Sequence, residues 1–186
     1  MKIASLLILA GVLSRFLSLP HGLSLTAAVI LLAGVYLPWR QVLIVALATM
    51  AIGDAVKGFH QLIPWTWTGA LWMGVAALSL RKRASYSRIA LVSIGASTIY
   101  YLWCEFGMWV MGNCLPGERI YPASLAGLLG VYQSGFNHYL YRLAGNLGIT
   151  LTLFAIAKSF ARTAVPIKQA PDPSTGWVSR GHSVSR

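Results

Sequence analysis

The sequence has few charged residues, few acids and few cysteines, and each shortage excludes a class of protein. Only 10% of the residues are charged, against about 25% in soluble globular domains, so we predict a membrane protein. The two cysteines offer neither a disulfide framework nor a zinc pattern. The sequence also lacks a phosphate-binding loop of the Walker type, so an ATP-driven step would need other subunits.

The chain consists largely of apolar runs, and 56% of its residues are hydrophobic. A net charge of +11 would by itself be compatible with nucleic-acid binding. The basic residues, however, lie between the apolar runs and in the C-terminal tail. This distribution is typical of contacts with anionic lipid and of topology signals, and no nucleic-acid partner is predicted.

The apolar runs predict an all-α membrane protein with six transmembrane helices. The first run has no small-residue cleavage site after it, so we predict a retained helix rather than a signal peptide. Residues 121–131 are too few to cross a membrane, which takes about 20 residues, and we predict a short re-entrant or half-buried segment between helices 5 and 6. The predicted helices are approximately 3–19, 23–37, 41–57, 65–80, 89–111 and 136–160. The six-helix domain covers residues 1–162, and a disordered, basic cytoplasmic tail covers 163–186.

The predicted topology brings polar residues from four helices to one depth. Cations concentrate on one side of the six crossings, notably in the loop 81–88, and the positive-inside rule places that side and both termini in the cytoplasm. Arg15 then falls in the outer half of its helix, together with the binding candidates. A largely apolar chamber with a few convergent polar groups is typical of a small-molecule site. The predicted substrate-binding residues are Glu105, Asp54, Arg142, Asn146, Trp103, Tyr132, Cys104 and His60.

Glu105 is the central candidate, because an ionisable side chain inside a membrane is costly and usually functional. As ligand-binding residues, Glu105 and Asp54 would accept hydrogen bonds, Arg142 would bind an anionic group, and aromatic rings would stack on a ring of the solute. Two structural alternatives stay open. Asp54 lies one turn from Lys57 and could pair with it. Glu105 could form a buried pair with Arg15 or Arg142.

The other candidates also have structural alternatives. Cys104 would serve equally as a small buried side chain, His60 as an interfacial residue, and Trp103 as part of an aromatic belt. The sequence shows no spacing of a nucleophile, a base and an orienting residue. We therefore predict a protein that is not an enzyme, with no catalytic residues, no bound metal and no cofactor.

Two motifs resemble a family of small bacterial membrane proteins of unassigned function. The first is D-x-x-x-G-F-H, from Asp54 to His60, and the second is Y-P-x-x-L-A-G-L-L, from Tyr121 to Leu129. That family is similar to the substrate-binding S components of energy-coupling-factor (ECF) vitamin transporters. The resemblance covers roughly residues 15–154, nearly the whole predicted membrane domain.

The resemblance implies a multi-pass protein of the bacterial inner membrane that binds a vitamin-like solute near the outer face for uptake. The implied partners are that solute, membrane lipid, and an ECF-type transmembrane coupling subunit with its ATPases. Cobalamin is one candidate substrate, since solitary proteins similar to S components bind it and the thiol of Cys104 can ligate cobalt. The chain departs from the family pattern at Cys104 and at residues 135–139, so the resemblance does not fix the substrate.

Two other classes of function compete with solute uptake. A non-catalytic structural or assembly subunit of a larger membrane complex needs only aromatic stripes that face lipid and protein, and it predicts partner chains and no ligand. A membrane enzyme would use Cys104 or Glu105 with a histidine, but the required spacing is missing. Solute binding is the prediction from the sequence, and the assembly subunit is its alternative.

Overall fold

The computed structural model describes residues 2–16, 25–112 and 119–163, and the side chains of these ranges from residue 3 to residue 160. Within these ranges all regular structure is helical, as predicted, with a 3-10 turn at Leu78–Leu80. The α-helices are α1 Lys2–Phe16, α2 Thr26–Tyr36, α3 Trp39–Lys57, α4 Ile63–Ala77, α5 Tyr86–Met111 and α6 Leu125–Thr163. The tail from residue 164 onward, for which disorder was predicted, lies outside the described residues.

Local sequence explains where several helices begin and end. The hydroxyl of Ser85 accepts a hydrogen bond from the backbone N–H of Arg88 (3.3 Å) at the start of α5, which is a typical N-cap. The same helix ends at Gly112, whose φ of 73° is left-handed and suits a residue without a Cβ. Pro64 lies in the first turn of α4, where its missing N–H leaves no helical hydrogen bond unmade.

Helix α2 is the central element of the bundle. Seven of its 11 residues are buried, and it packs against all five other helices. A helix that is apolar on every side suits such an interior position. Its length is about 16 Å, roughly half the thickness of the hydrocarbon core of a bilayer.

Three helices in the described part of the chain are long and apolar enough to cross a membrane. They are Trp39–Lys57, Tyr86–Met111 and Leu125–Phe160. Large apolar side chains also cover the outer surface, among them Ile44, Leu91 and Leu129. Together these features indicate a membrane protein. The six predicted crossings stay a prediction, because α1, α2 and α4 are shorter than the usual span.

The structure corrects the prediction for the region after α5. The predicted half-buried segment 121–131 and the separate helix from residue 136 are wrong, because residues 125–163 form the single helix α6. Gly135 lies next to the predicted start of the separate helix, and a glycine costs about 1 kcal/mol relative to alanine inside a helix. It lies at a close contact with α5, where an added Cβ would be 2.5 Å from Oε1 of Glu105. Packing between α5 and α6 therefore outweighs the local propensity.

The two ends of the bundle differ. At one end basic side chains donate to backbone carbonyls: Arg81 Nη2 to the oxygen of Leu37 and Lys158 Nζ to that of Ala84, both at 2.6 Å. This region is referred to below as the basic end. The opposite end of the bundle contains the C-termini of α1, α3 and α5 and the N-termini of α2, α4 and α6. The predicted site residues lie towards this end.

Candidate functional site

A cavity of about 560 Å³ lies at the end opposite the basic end, and all six helices line it. The first five residues of α2 include Thr26, Ala27 and Ile30, which form the floor. Small-molecule sites commonly have volumes of about 300–1,000 Å³. The cavity is thus large enough for a small organic solute.

The side of the cavity formed by α1, α3 and α4 is referred to as the Asp54 wall. Asp54 is only 1% exposed, and its Oδ1 forms an ion pair with Nη2 of Arg15. The indole Nε1 of Trp67 donates a hydrogen bond to Oδ2 at 2.8 Å, and Nε2 of His60 lies 4.0 Å from the same oxygen. Both carboxylate oxygens therefore have partners, and the buried charge is neutralised in place.

Arg15 is held on this wall by more than its ion pair. Its Nη1 donates to the backbone oxygen of Met50 at 3.3 Å and lies 3.4 Å from the sulfur of the same residue. The stem of Arg15 passes so close to Gly53 that an added Cβ there would be 2.6 Å from Cδ and Nε. A glycine on α3 is what lets the guanidinium reach Asp54.

The opposite side, formed by α5 and α6, is referred to as the Glu105 wall. Glu105 and Arg142 both line the cavity, and within the described part of the chain neither has an ion pair or a hydrogen bond. The rings of Tyr101 and Tyr139 stack between α5 and α6, with centroids 4.4 Å apart. The Tyr139 hydroxyl lies 2.8 Å from the hydroxyl of Thr98, so this stack is held in place.

The two unpartnered charges define what the cavity can do chemically. A carboxylate and a guanidinium away from bulk water are unfavourable unless a ligand or water satisfies them. The Glu105 wall can therefore bind a polar solute, with aromatic surface beside the charges. The described residues contain no group of three or more His, Cys, Asp or Glu side chains able to hold a metal ion.

Five of the eight predicted site residues line the cavity, and three do not. Asp54 lies behind Arg15 and does not reach the surface of the cavity. Trp103 donates from Nε1 to the hydroxyl of Thr68 at 2.8 Å, and the Tyr132 hydroxyl donates to the backbone oxygen of residue 102 at 3.1 Å. The last two residues support the walls and do not line the cavity. The five lining residues are Glu105, Arg142, Asn146, Cys104 and His60.

Two structural alternatives considered from the sequence are wrong. Asp54 pairs with Arg15 of another helix and not with Lys57 one turn away. Arg15 is consequently not the partner of Glu105, and Arg142 forms no ion pair with Glu105 in the part of the chain described. The predicted topology also places His21 at the outer face, and this residue lies outside the described residues.

Several residues that line the cavity were not among the predicted binding residues, although their spacing along the helices could have indicated them. Residues three or four apart lie on one face of a helix, and the cavity follows this rule on both helices of the Glu105 wall. On α6 the lining residues are Gly135, His138, Tyr139, Arg142, Leu143 and Asn146. On α5 they are Ser97, Tyr100, Tyr101, Cys104 and Glu105.

The fold and the cavity together define a helical membrane protein with a chamber at one end. The chain belongs to a family described as a family of unknown function (DUF6580), whose model matches residues 1–169. Comparisons with curated proteins and with solved structures give no match.

Proposed function

We propose that this protein binds a small organic solute in the cavity and takes part in its uptake across a bacterial inner membrane, in the manner of an ECF-type S component. One observation carries the proposal: a cavity of about 560 Å³ is lined by Glu105 and Arg142, which have no partners among the described residues. A cavity with only a packing role would be expected to pair its charges, as Arg15 and Asp54 do on the opposite wall.

The lining residues have distinct proposed roles. Arg142 binds an anionic group of the solute, because a guanidinium offers several donors in a fixed plane. Glu105 accepts hydrogen bonds, and the amide of Asn146 adds a donor and an acceptor. The stacked rings of Tyr101 and Tyr139 provide an apolar surface against which the body of the solute packs. Asp54 contributes indirectly, since it fixes Arg15.

The size of the cavity favours a solute smaller than cobalamin. A corrin ring with its nucleotide loop exceeds the drug-sized molecules that fill pockets of about 300–1,000 Å³, and this cavity is near the middle of that range. The proposed substrate is therefore a compact, vitamin-sized or smaller molecule.

The proposed orientation places the cavity at the outer face and both termini in the cytoplasm. The basic end carries the loop 81–83 and Lys158, and the positive-inside rule favours the cytoplasm for such residues. Because the sequence has no nucleotide-binding loop, energy for uptake would come from a coupling subunit and ATPases, with membrane lipid surrounding the bundle.

Native mass spectrometry of the detergent-purified full chain, with an absorbance spectrum of the same sample, tests the proposal. We expect a retained small molecule whose occupancy falls in Arg142→Gln and Glu105→Gln. Arg88→Gln is the matched control, because it removes the same charge near the basic end. A protein that carries no small molecule and co-purifies with stoichiometric partner chains would contradict solute binding and support the assembly-subunit alternative.

A further inference from the structure

The charges that line the cavity reduce to two once the satisfied ones are set aside. Arg15 is neutralised by Asp54. Lys57 and His60 are exposed at the open end of the cavity, where water and salt screen their charges. Apart from the imidazole of His138, which also lines the cavity one turn from Gly135, the remaining pair is one carboxylate, Glu105, and one guanidinium, Arg142. The signs and the spacing of these two groups describe the ligand.

The backbone positions of Glu105 and Arg142 lie at different depths of the same wall. Glu105 is level with Gly135, because its Oε1 would be 2.5 Å from a Cβ added there. Arg142 follows Gly135 by seven residues, which places its Cα on the same face of α6 about 10 Å farther along the helix axis. Glu105 and Arg142 form no ion pair within 4.0 Å. A ligand that satisfies both groups needs charges at its two ends.

Polar and apolar groups are arranged between and beside these charges in the order that such a ligand requires. The stacked rings of Tyr101 and Tyr139 lie between the two levels, since Tyr139 is one turn from Gly135 and one from Arg142. Ser97 precedes Glu105 by eight residues on the antiparallel helix, which places it level with Arg142. Ser97 is only 7% exposed, lines the cavity, and its hydroxyl has no hydrogen-bond partner in the described part of the chain.

We propose that the ligand is an extended zwitterion, and this rests on the proposed function of the cavity in solute binding. Its anionic group, a carboxylate or phosphate, binds the guanidinium of Arg142 and the hydroxyl of Ser97. Its ammonium group donates to the carboxylate of Glu105. A flat or apolar body between them packs on the stacked rings of Tyr101 and Tyr139.

Three rigid probes that differ only in charge test this proposal by isothermal titration calorimetry of the full chain in detergent. They are 4-(aminomethyl)benzoate, which has a charge at each end of its ring, 4-methylbenzoate, which has only the anion, and 4-methylbenzylamine, which has only the cation. We expect the zwitterion to bind about 10- to 100-fold more tightly than either singly charged probe, since each lost hydrogen bond to a charged group has about that effect.

Two variants assign the ends of the probe. Glu105→Gln should lower the affinity for the zwitterion to that of the anion alone on the unaltered protein. Arg142→Gln should lower it to that of the cation alone, and Arg88→Gln should leave all three affinities unchanged. Reduced affinity for the two anion-bearing probes in Ser97→Ala, with the cation unaffected, would support the place of the hydroxyl at the anionic end.

The outcomes separate this inference from the proposed function. A singly charged probe that binds as tightly as the zwitterion would overturn the inference and leave solute binding intact. If no probe binds, a molecule retained in native mass spectrometry decides: one with both charges supports the inference, and one lacking either charge overturns it. If no probe binds and no molecule is retained, both the inference and the proposed function are wrong.

Discussion

The Asp54 wall and the Glu105 wall enclose the same cavity, and each carries one carboxylate and one guanidinium. The two groups bind each other on the Asp54 wall and do not on the Glu105 wall. On the first, Arg15 and Asp54 bind each other, and Trp67 completes the set. On the second, Glu105 and Arg142 have no partners among the described residues. The paired charges hold three helices together, whereas the unpaired charges are available to a solute. Stability and binding are therefore expected to reside on different walls.

The largest expected effect is a difference in stability between variants of the two carboxylates, Asp54 and Glu105. Asp54→Asn leaves the mostly buried guanidinium of Arg15, 16% exposed, without a counter-charge, and removing one partner of a buried pair costs about 3–5 kcal/mol. Glu105→Gln removes no partner, so the free energy of unfolding should change by less than about 1 kcal/mol. Unfolding of the detergent-purified variants in SDS measures both. Equal losses of stability in the two variants would contradict the division between the walls.

A second prediction compares two glycines, each of which lies close to a charged residue of one wall. Gly53→Ala places a Cβ 2.6 Å from Cδ and Nε of Arg15, and overpacking of this kind costs about 1–3 kcal/mol. Gly135→Ala places a Cβ 2.5 Å from Oε1 of Glu105, but that carboxylate is the free end of a flexible side chain and can turn away.

Gly135→Ala should therefore keep or slightly raise the unfolding free energy, since alanine favours a helix by about 1 kcal/mol over glycine. It should also reduce retention of a bound solute, because the carboxylate has moved. The two variants are compared by SDS unfolding and by native mass spectrometry. A Gly135→Ala protein that retains solute like the unaltered protein would show that Glu105 takes no part in binding.

Two tryptophans, one on each wall, provide a further comparison with a smaller expected effect on stability. Trp67→Phe removes a hydrogen bond to a carboxylate, which contributes about 1.5–3 kcal/mol, whereas Trp103→Phe removes one to a neutral hydroxyl, which contributes about 0.5–1.5 kcal/mol. Both changes delete the same indole nitrogen and a similar apolar area. Trp67→Phe should thus be the less stable protein by about 1 kcal/mol in SDS unfolding, and the reverse order would argue against Asp54 as the centre of its wall.

The smallest expected effect is at His60. Its side chain is 44% exposed and lies 4.0 Å from Asp54, so a solvent-screened contact of at most about 1 kcal/mol is expected. His60→Gln should unfold within that margin of the unaltered protein. A larger loss of stability would mean that His60 belongs to the buried charge set along with Arg15.

Much of this arrangement could be predicted from the order of helices and loops. Alternating direction alone brought Arg15, Glu105, Arg142 and Asn146 to one end of the bundle, and the structure lines one cavity with all four. The helix ends were near the turn signals, such as the glycine at residue 112. These features depend on chain direction and local backbone chemistry, which a single sequence contains.

The rotation of each helix about its axis could not be predicted in the same way. Trp103 was among the predicted binding residues and Tyr101 was not, and residues two positions apart on a helix point about 200° apart. Which of them faces the cavity depends on packing against α4 and α6, and here Trp103 contacts Thr68 while Tyr101 stacks on Tyr139. The continuity of α6 through Gly135 likewise depends on its contact with α5.

The short central helix α2 has a consequence for how much the chamber can hold. One turn of α-helix, taken as a cylinder 10 Å across and 5.4 Å long, occupies about 420 Å³, which is of the same order as the cavity of about 560 Å³. The N-terminal part of α2 forms its floor. Capacity thus depends on where a helix begins as well as on the side chains around it. A chain whose central helix began one turn earlier would have much less room for a guest, even with every wall residue unchanged.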